Sequence, residues 1–128
     1  MTNHVHLAFR SAKSQNPELF LVDFKRFTGK ALVKAIKDNP RESRKEWLLE
    51  QFEIAGAKSS TISKFQFWRH DSKPIELWSN KVIDEKINYI HSIPVEEGLV
   101  FHPEDYVYSS AKDYIGEPGK LGGVMVAK

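Results

Sequence analysis

The chain contains no cysteine among its 128 residues. Disulfide bonds and cysteine-built zinc sites are therefore excluded, and cysteine usage does not reveal the redox compartment. The sequence also lacks an apolar run long enough to cross a bilayer and a charged-then-apolar leader, so we expect a cytoplasmic protein with no membrane partner. The excess of positive charge is only +2. A nucleic-acid function would require the cations to lie together on one face.

The composition is that of a folded globular domain. Hydrophobic residues make up 41% of the chain and aromatic residues 12%, which is enough to bury a core in one domain of this length. We predict that domain at residues 1–115 and a flexible tail at residues 116–128, which begins at a glycine.

Three helices are predicted from capping residues and apolar spacing. The first begins at Asn16-Pro17, with Asn16 as the cap, and Ser79 or Asn80 caps the third. Gly56 is predicted to end the second helix and Pro94 the third. The predicted ranges are about 17–38, 40–55 and 80–93.

The apolar segment Val5–Phe9 predicts a strand, and the segment Phe65–His70 predicts a strand or an extended segment. In a strand, His4 and His6 would project from one face, roughly 6–7 Å apart. Two imidazoles on one face can hold a divalent ion when other elements supply further ligands. Histidines in a strand also occur simply as surface or core residues, so the spacing leaves both interpretations open.

Tyr89 lies in the third predicted helix, with Ile93 one turn later on the same face. A tyrosine hydroxyl beside a metal-polarised phosphate can act as the nucleophile for strand cleavage. The alternative is a structural tyrosine with a buried ring and its hydroxyl at the rim.

Cations recur at helical spacing in the first helix, and aromatic rings cluster in the segment 65–69. Cations along a helix can follow phosphates, and exposed rings can stack on unpaired bases. A lysine stripe is also typical of a solvated helix face. The candidate DNA-binding residues are Arg26, Lys30, Lys34, Lys37, Phe67, Trp68 and Arg69.

Seven short segments occur in one order from residue 1 to about residue 114. They are Met1–Leu7, Asp23–Thr28, Phe65–Trp68, Lys73–Leu77, Tyr89–Val95, Gly98–Val100 and Tyr108–Ser110. This ordered set resembles the REP-associated tyrosine transposases, which belong to the single-tyrosine HUH transposase superfamily. The set is far more specific than any one of its members.

The resemblance implies an α+β fold, a helix-rich and partial ferredoxin-like HUH domain that lacks the family's N-terminal strand-helix-strand. It implies that His4 and His6 are metal ligands for Mg²⁺ or Mn²⁺ and that Tyr89 is the nucleophile. The implied function is metal-dependent nicking and joining of single-stranded or hairpin DNA through a 5′-phosphotyrosine, in DNA transposition.

The sequence departs from the family pattern in two ways, and these favour an alternative function. The family places Asn or Gln four residues after the tyrosine, whereas Ile93 cannot bind a metal, so an oxygen from elsewhere, such as Glu18 or Asp23, would be needed. The chain also begins at the HUH strand, so we expect either coding sequence upstream of Met1 or a shortened derivative that recovers its sheet, for example as a homodimer. The alternative function is a catalytically inactive, truncated transposase remnant that binds DNA hairpins or only oligomerises.

Overall fold

A computed structural model describes residues 3–11, 16–61 and 64–127. Within these ranges the secondary structure is helical and includes no β-strand. The helices are α1 (Pro17–Asp38), α2 (Lys45–Ala57), α3 (Asn80–Glu96) and α4 (Ala111–Tyr114), with a 3-10 turn at Pro103–Asp105. No helix in this part of the chain has both the length and the apolar character needed to cross a membrane.

The predicted α+β, partial ferredoxin-like fold is wrong. Within the described ranges, neither Val5–Phe9 nor Phe65–His70 pairs with a strand. A strand is stabilised when its backbone groups pair with a neighbour and one face is covered. Val5, Leu7 and Phe9, which would form that covered face, remain 62%, 48% and 40% exposed. The alternating pattern indicates a strand only where a partner exists.

The described residues form two compact units. Those of Met1–Phe9 and Pro74–Lys128 form unit 1, and those of Arg10–Lys73 form unit 2. Unit 1 contains α3, the 3-10 turn and α4, whereas unit 2 contains α1 and α2. In sequence, therefore, unit 2 is inserted between the two parts of unit 1.

Unit 2 is held together by aromatic rings from α1, α2 and the segment 64–70. Phe24 lies 6.3 Å from Trp68 and Phe52 lies 5.1 Å from Phe67, measured between ring centroids. The indole Nε1–H of Trp68 donates to Thr28 Oγ1 at 2.9 Å. The segment after α2 thus folds back against both helices.

Helix α2 has different bounds from those predicted. It begins at Lys45 because residues before it form side-chain-stabilised turns, in which Asn39 Oδ1 accepts from the Arg41 N–H and Glu42 Oε1 from the Arg44 N–H. Gly56 does not end the helix but lies buried inside its last turn. The sequence signal for a stop was therefore wrong at that glycine.

Gly56 is required where it lies because the chain returns directly across it. A Cβ built there would lie 2.2 Å from the Lys64 carbonyl oxygen, inside contact distance. The Gln66 N–H also donates to Phe52 O at 2.9 Å, which fixes the crossing segment to α2. The close approach thus explains the glycine better than a helix stop does.

Helix α3 begins as predicted and ends later than predicted. Ser79 Oγ accepts from the Val82 N–H at 3.3 Å and caps the first turn. Pro94 is buried inside the helix, which continues to Glu96, since a proline in the last turns removes only one backbone donor. The helix ends at Glu96 with Glu97 as its cap, and Gly98 follows with a φ of 69°, the left-handed conformation found after many helices.

The core of unit 1 is small and is formed around α3. Its buried side chains include Ile87, His91, Ile93 and Ala111. The segment after α4 contacts this unit through the Ala127 N–H, which donates to the Tyr114 hydroxyl at 3.1 Å.

Candidate functional site

Three of the sequence-predicted site residues lie together in unit 1. The ring centroids of His4 and His6 are 5.0 Å apart and the rings are nearly perpendicular, at 84°. The His6 ring lies 6.3 Å from the Tyr89 ring, also edge to face. The structure thus brings two imidazoles from the start of the chain to a phenol on α3, although no strand forms in the described residues.

Asn3 orients the first imidazole. His4 Nδ1 lies 2.7 Å from Asn3 Oδ1. Because an amide oxygen only accepts, Nδ1 donates, and in the neutral ring the lone pair is then on Nε2. Fixing one nitrogen in this way is how proteins present the other to a metal.

The surroundings of the second imidazole favour its neutral form. Partial burial lowers the pKa of His6, and positive charge on His4 and at the N terminus lowers it further. A neutral ring is the form that binds a metal ion. The His4–His6 pair is therefore chemically suited to be a ligand pair.

Tyr89 is accessible, with 53% of its surface exposed. Lys86 Nζ lies 5.9 Å from the centre of the Tyr89 ring. An ammonium at this position can bind a phosphate oxygen presented to the phenol. The sequence prediction did not include Lys86, although its position three residues before Tyr89 on a helix is the available signal.

His91 fixes the helix that presents Tyr89. Its side chain is buried, its Nε2 lies 2.9 Å from Ser110 Oγ, and its ring packs edge to face on Tyr114 at 5.0 Å. These contacts join α3 to the start and end of α4. His91 is thus a structural residue of unit 1.

The burial of His91 predicts a loss of stability in acid. Burial lowers the pKa of His91 from its ordinary value of 6.5. The unfolded chain then binds a proton more readily than the folded chain, so stability is complete above pH 6.5 and decreases as the pH falls below it. We expect the urea concentration at half unfolding to be lower at about pH 5.5 than at about pH 7.5. This difference is expected to be smaller in His91→Gln.

Ser110→Ala is the matched control for this pH dependence. It removes the hydrogen bond to His91 but keeps the imidazole buried, so it is expected to lower stability at both pH values and to retain the acid-dependent fall. An equal fall in wild type and His91→Gln would contradict the assignment.

Ile93 has no part in a metal site. It is 7% exposed and belongs to the core of unit 1, whereas Tyr89, one turn earlier on α3, is 53% exposed. The proposed substitute oxygens belong to unit 2, where Glu18 lies in the first turn of α1 and Asp23 pairs with Arg26 at 3.6 Å. In the described ranges, no group of three or more His, Asp or Glu side chains could hold a metal ion. The ligands that the structure does bring together are the two imidazoles.

The candidate DNA-binding cations on α1 are exposed, and several already have partners. Arg26 pairs with Asp23, Lys34 with Asp38, and Lys37 Nζ lies 4.2 Å from the centre of the Phe65 ring. Such exposed ion pairs contribute little to stability, so phosphate can compete for the cations. The remaining candidates of this kind are Lys30, which is exposed on α1, and Arg69, which lies 2.8 Å from Asp71.

Phe67 and Trp68 lie half-buried in unit 2. Their rings contact each other at 5.1 Å and pack against α1 and α2. The Trp68 N–H is already bonded to Thr28. Both rings therefore stabilise unit 2, and only part of each is available for stacking on a base.

Comparison with protein-family models, curated proteins and solved structures finds no match for this chain. The function is therefore inferred from the side chains of the site and from the pattern of the sequence.

Proposed function

We propose that the chain nicks and joins single-stranded or hairpin DNA through a 5′-phosphotyrosine at Tyr89, in DNA transposition. The observation that supports the proposal is the convergence of His4, His6 and Tyr89, from distant parts of the sequence, on one exposed surface of unit 1. These are the residue types needed to bind a divalent ion and attack a phosphodiester. The proposal includes action in the cytoplasm and a possible homodimer.

The reaction requires only one covalent exchange. The Tyr89 Oη attacks the scissile phosphorus and its proton passes to solvent. The bond from phosphorus to O3′ breaks, and O3′ leaves with the electron pair and takes up a proton. A 3′-hydroxyl attacks the phosphotyrosine in the reverse step, so joining needs no nucleotide cofactor. Lys86, next to the phenol, binds a non-bridging oxygen of the same phosphate.

The donor set fits a divalent ion that the substrate helps to bind. His4 and His6 would hold the ion through two ring nitrogens, together with oxygen ligands from outside the chain. When bound, the ion polarises the scissile phosphate. Because Mg²⁺ strongly prefers oxygen ligands and releases water reluctantly, we propose Mn²⁺ as the more effective of the two ions.

Formation of the covalent complex tests the proposal. A hairpin oligonucleotide is labelled at its 3′ end, because the fragment with the 5′-phosphate is the one that remains on tyrosine. With Mn²⁺, wild-type protein is expected to form a labelled band that survives denaturation, and peptide mapping is expected to place the nucleotide on Tyr89. Absence of this band at every Mn²⁺ concentration would overturn the enzymatic proposal.

The second candidate is a catalytically inactive protein that binds DNA hairpins. It is favoured by the burial of Ile93, at the position where the resembled family has Asn or Gln. Hairpin binding without a covalent band would support this candidate. If neither hairpin binding nor a covalent band is found, oligomerisation is the remaining function, and analytical sedimentation measures it.

A further inference from the structure

An open cleft lies in unit 2, which contains none of the residues assigned above to catalysis. It is lined by the C-terminal part of α2, by residues 58–61 and by residues 66–70, and has a volume of about 890 Å³. We call it the α2 cleft. Its walls are fixed, since the Gln66 N–H bonds to Phe52 O and Lys25 Nζ donates to Arg69 O at 2.6 Å.

The lining of the α2 cleft is suited to an anion with polar edges. It includes the cations Lys58 and Arg69, the imidazole of His70, the hydroxyls of residues 59–61 and the amides of Gln51 and Gln66. None of the described residues lining the cleft is Asp or Glu, although the chain has 17 of them. Hydroxyls, amides and cations are the groups that bind phosphate oxygens and base edges.

The C-terminal end of α2, where a helix carries partial negative charge, also borders the cleft. The last carbonyls of the helix are already bonded, Ala55 O to the Lys58 N–H and Gly56 O to the Ser59 N–H. Bonded carbonyls attract cations and repel anions less than free ones do. The helix end therefore opposes an anion in the cleft less than free carbonyls would.

Arg69 is available to a ligand although it has a partner. Its side chain is 87% exposed and pairs with Asp71, which is also exposed, outside the lining. An exposed pair of this kind contributes little to stability, so a phosphate can replace the carboxylate. The bond from Lys25 to the Arg69 carbonyl keeps the backbone in place during that exchange.

We propose that the α2 cleft binds a phosphate group, supplied by a nucleic-acid strand, with Lys58 and Arg69 as its principal ligands. The inference rests on the proposed DNA-processing function and adds a binding site remote in sequence from Tyr89. A strand is favoured over a free phosphate ion because the cleft is much larger than one phosphate, is open and offers amides beside the cations. A free phosphate remains the competing source of the same chemistry.

The test measures binding without cleavage. Full-length Tyr89→Phe protein, without divalent ions, is titrated with a labelled single-stranded oligonucleotide between about 50 and 200 mM salt. Adding Lys58→Gln and Arg69→Gln is expected to weaken binding roughly fivefold and to reduce the salt slope by about 1.4, or 0.7 for each cation lost. The matched control adds Arg41→Gln and Lys81→Gln, which remove the same charge outside the cleft and are expected to change affinity less than about twofold.

The possible results distinguish a nucleic-acid strand from free phosphate as the source of the bound phosphate group. Equal losses in both double variants, or no loss in either together with no response to inorganic phosphate, would overturn the site. Inorganic phosphate that shifts the nuclear magnetic resonance signals of residues 58–61, with unchanged oligonucleotide affinity in the cleft variant, would assign the cleft to free phosphate and overturn the strand. Because the background variant cannot form the covalent complex, failure of the Tyr89 chemistry leaves this result unaffected.

Discussion

Tyr89→Phe is expected to abolish the covalent DNA complex, with a decrease of more than about 10³-fold in its rate of formation. The change removes only the hydroxyl oxygen, which is the proposed nucleophile. The aromatic ring remains to contact His6 and Lys86, so hairpin binding is expected to stay within about twofold of wild type. The rate is measured from the denaturation-resistant band and the affinity by fluorescence anisotropy.

Tyr108→Phe is the matched control. Tyr108 is also exposed, at 71%, and also has a lysine over its ring, with Lys120 Nζ at 5.2 Å. It lies outside the His4–His6–Tyr89 cluster and is expected to form the complex at the wild-type rate. A complex that persists in Tyr89→Phe, or disappears equally in Tyr108→Phe, would contradict the assignment of the nucleophile.

Gly56→Ala is expected to lower the free energy of unfolding by about 1–3 kcal/mol. The added Cβ would lie 2.2 Å from Lys64 O and 2.8 Å from Lys64 C, and these are backbone atoms that cannot move alone. Moving the segment breaks the bond from the Gln66 N–H to Phe52 O and separates the Phe52 and Phe67 rings. The gain in helix propensity, about 1 kcal/mol, offsets only part of this cost.

Gly29→Ala gives the opposite expectation at a similar site. Gly29 also lies within a helix and against the same returning segment, but its nearest neighbours to a new Cβ are Trp68 Cδ1 at 3.5 Å and Phe67 Cβ at 3.6 Å. These are ordinary contacts, so Gly29→Ala is expected to raise stability by up to about 1 kcal/mol. Urea unfolding of both variants checks the pair, and destabilisation of equal size in the two would contradict the close crossing at Gly56.

The helix starts were predictable because their determinants are local. Asn16 Oδ1 accepts from the Glu18 N–H, two residues away, and Ser79 Oγ from the Val82 N–H, three residues away. Such contacts are formed within a few residues of the chain, so the residue order specifies them. The predicted end of α1 at about Asp38 is confirmed for the same reason, as Asn39-Pro40 follows it.

Features that depend on distant parts of the chain were not predictable. Gly56 indicates a helix stop in sequence, whereas the crossing at Lys64 is visible only in three dimensions. The strand predicted at Val5–Phe9 needed a partner that the described residues do not supply. Pro94 continues α3 because packing in the core outweighs its local preference.

The candidate site also contains residues that the sequence identified and residues that it did not. His4, His6 and Tyr89 were identified from residue type and order, and their proximity depends on the folding of unit 1. Lys86 lies one turn before Tyr89 and was not predicted, since a lysine on a helix is also typical of a solvated face. Phe67 and Trp68 were assigned to DNA, and in the structure they also form the aromatic core of unit 2.

The insertion of unit 2 into unit 1 determines the order in which a growing polypeptide acquires its properties. A ribosome releases His4 and His6 first, then all of Arg10–Lys73, and Tyr89 only afterwards. Unit 2 can therefore fold during synthesis, whereas the contact between His6 and Tyr89 can form only after Tyr89 has been released. Under the proposed function, a nascent chain has a folded α2 cleft before it has the proposed nucleophile, so we expect incomplete translation products to bind a DNA strand without forming the covalent complex.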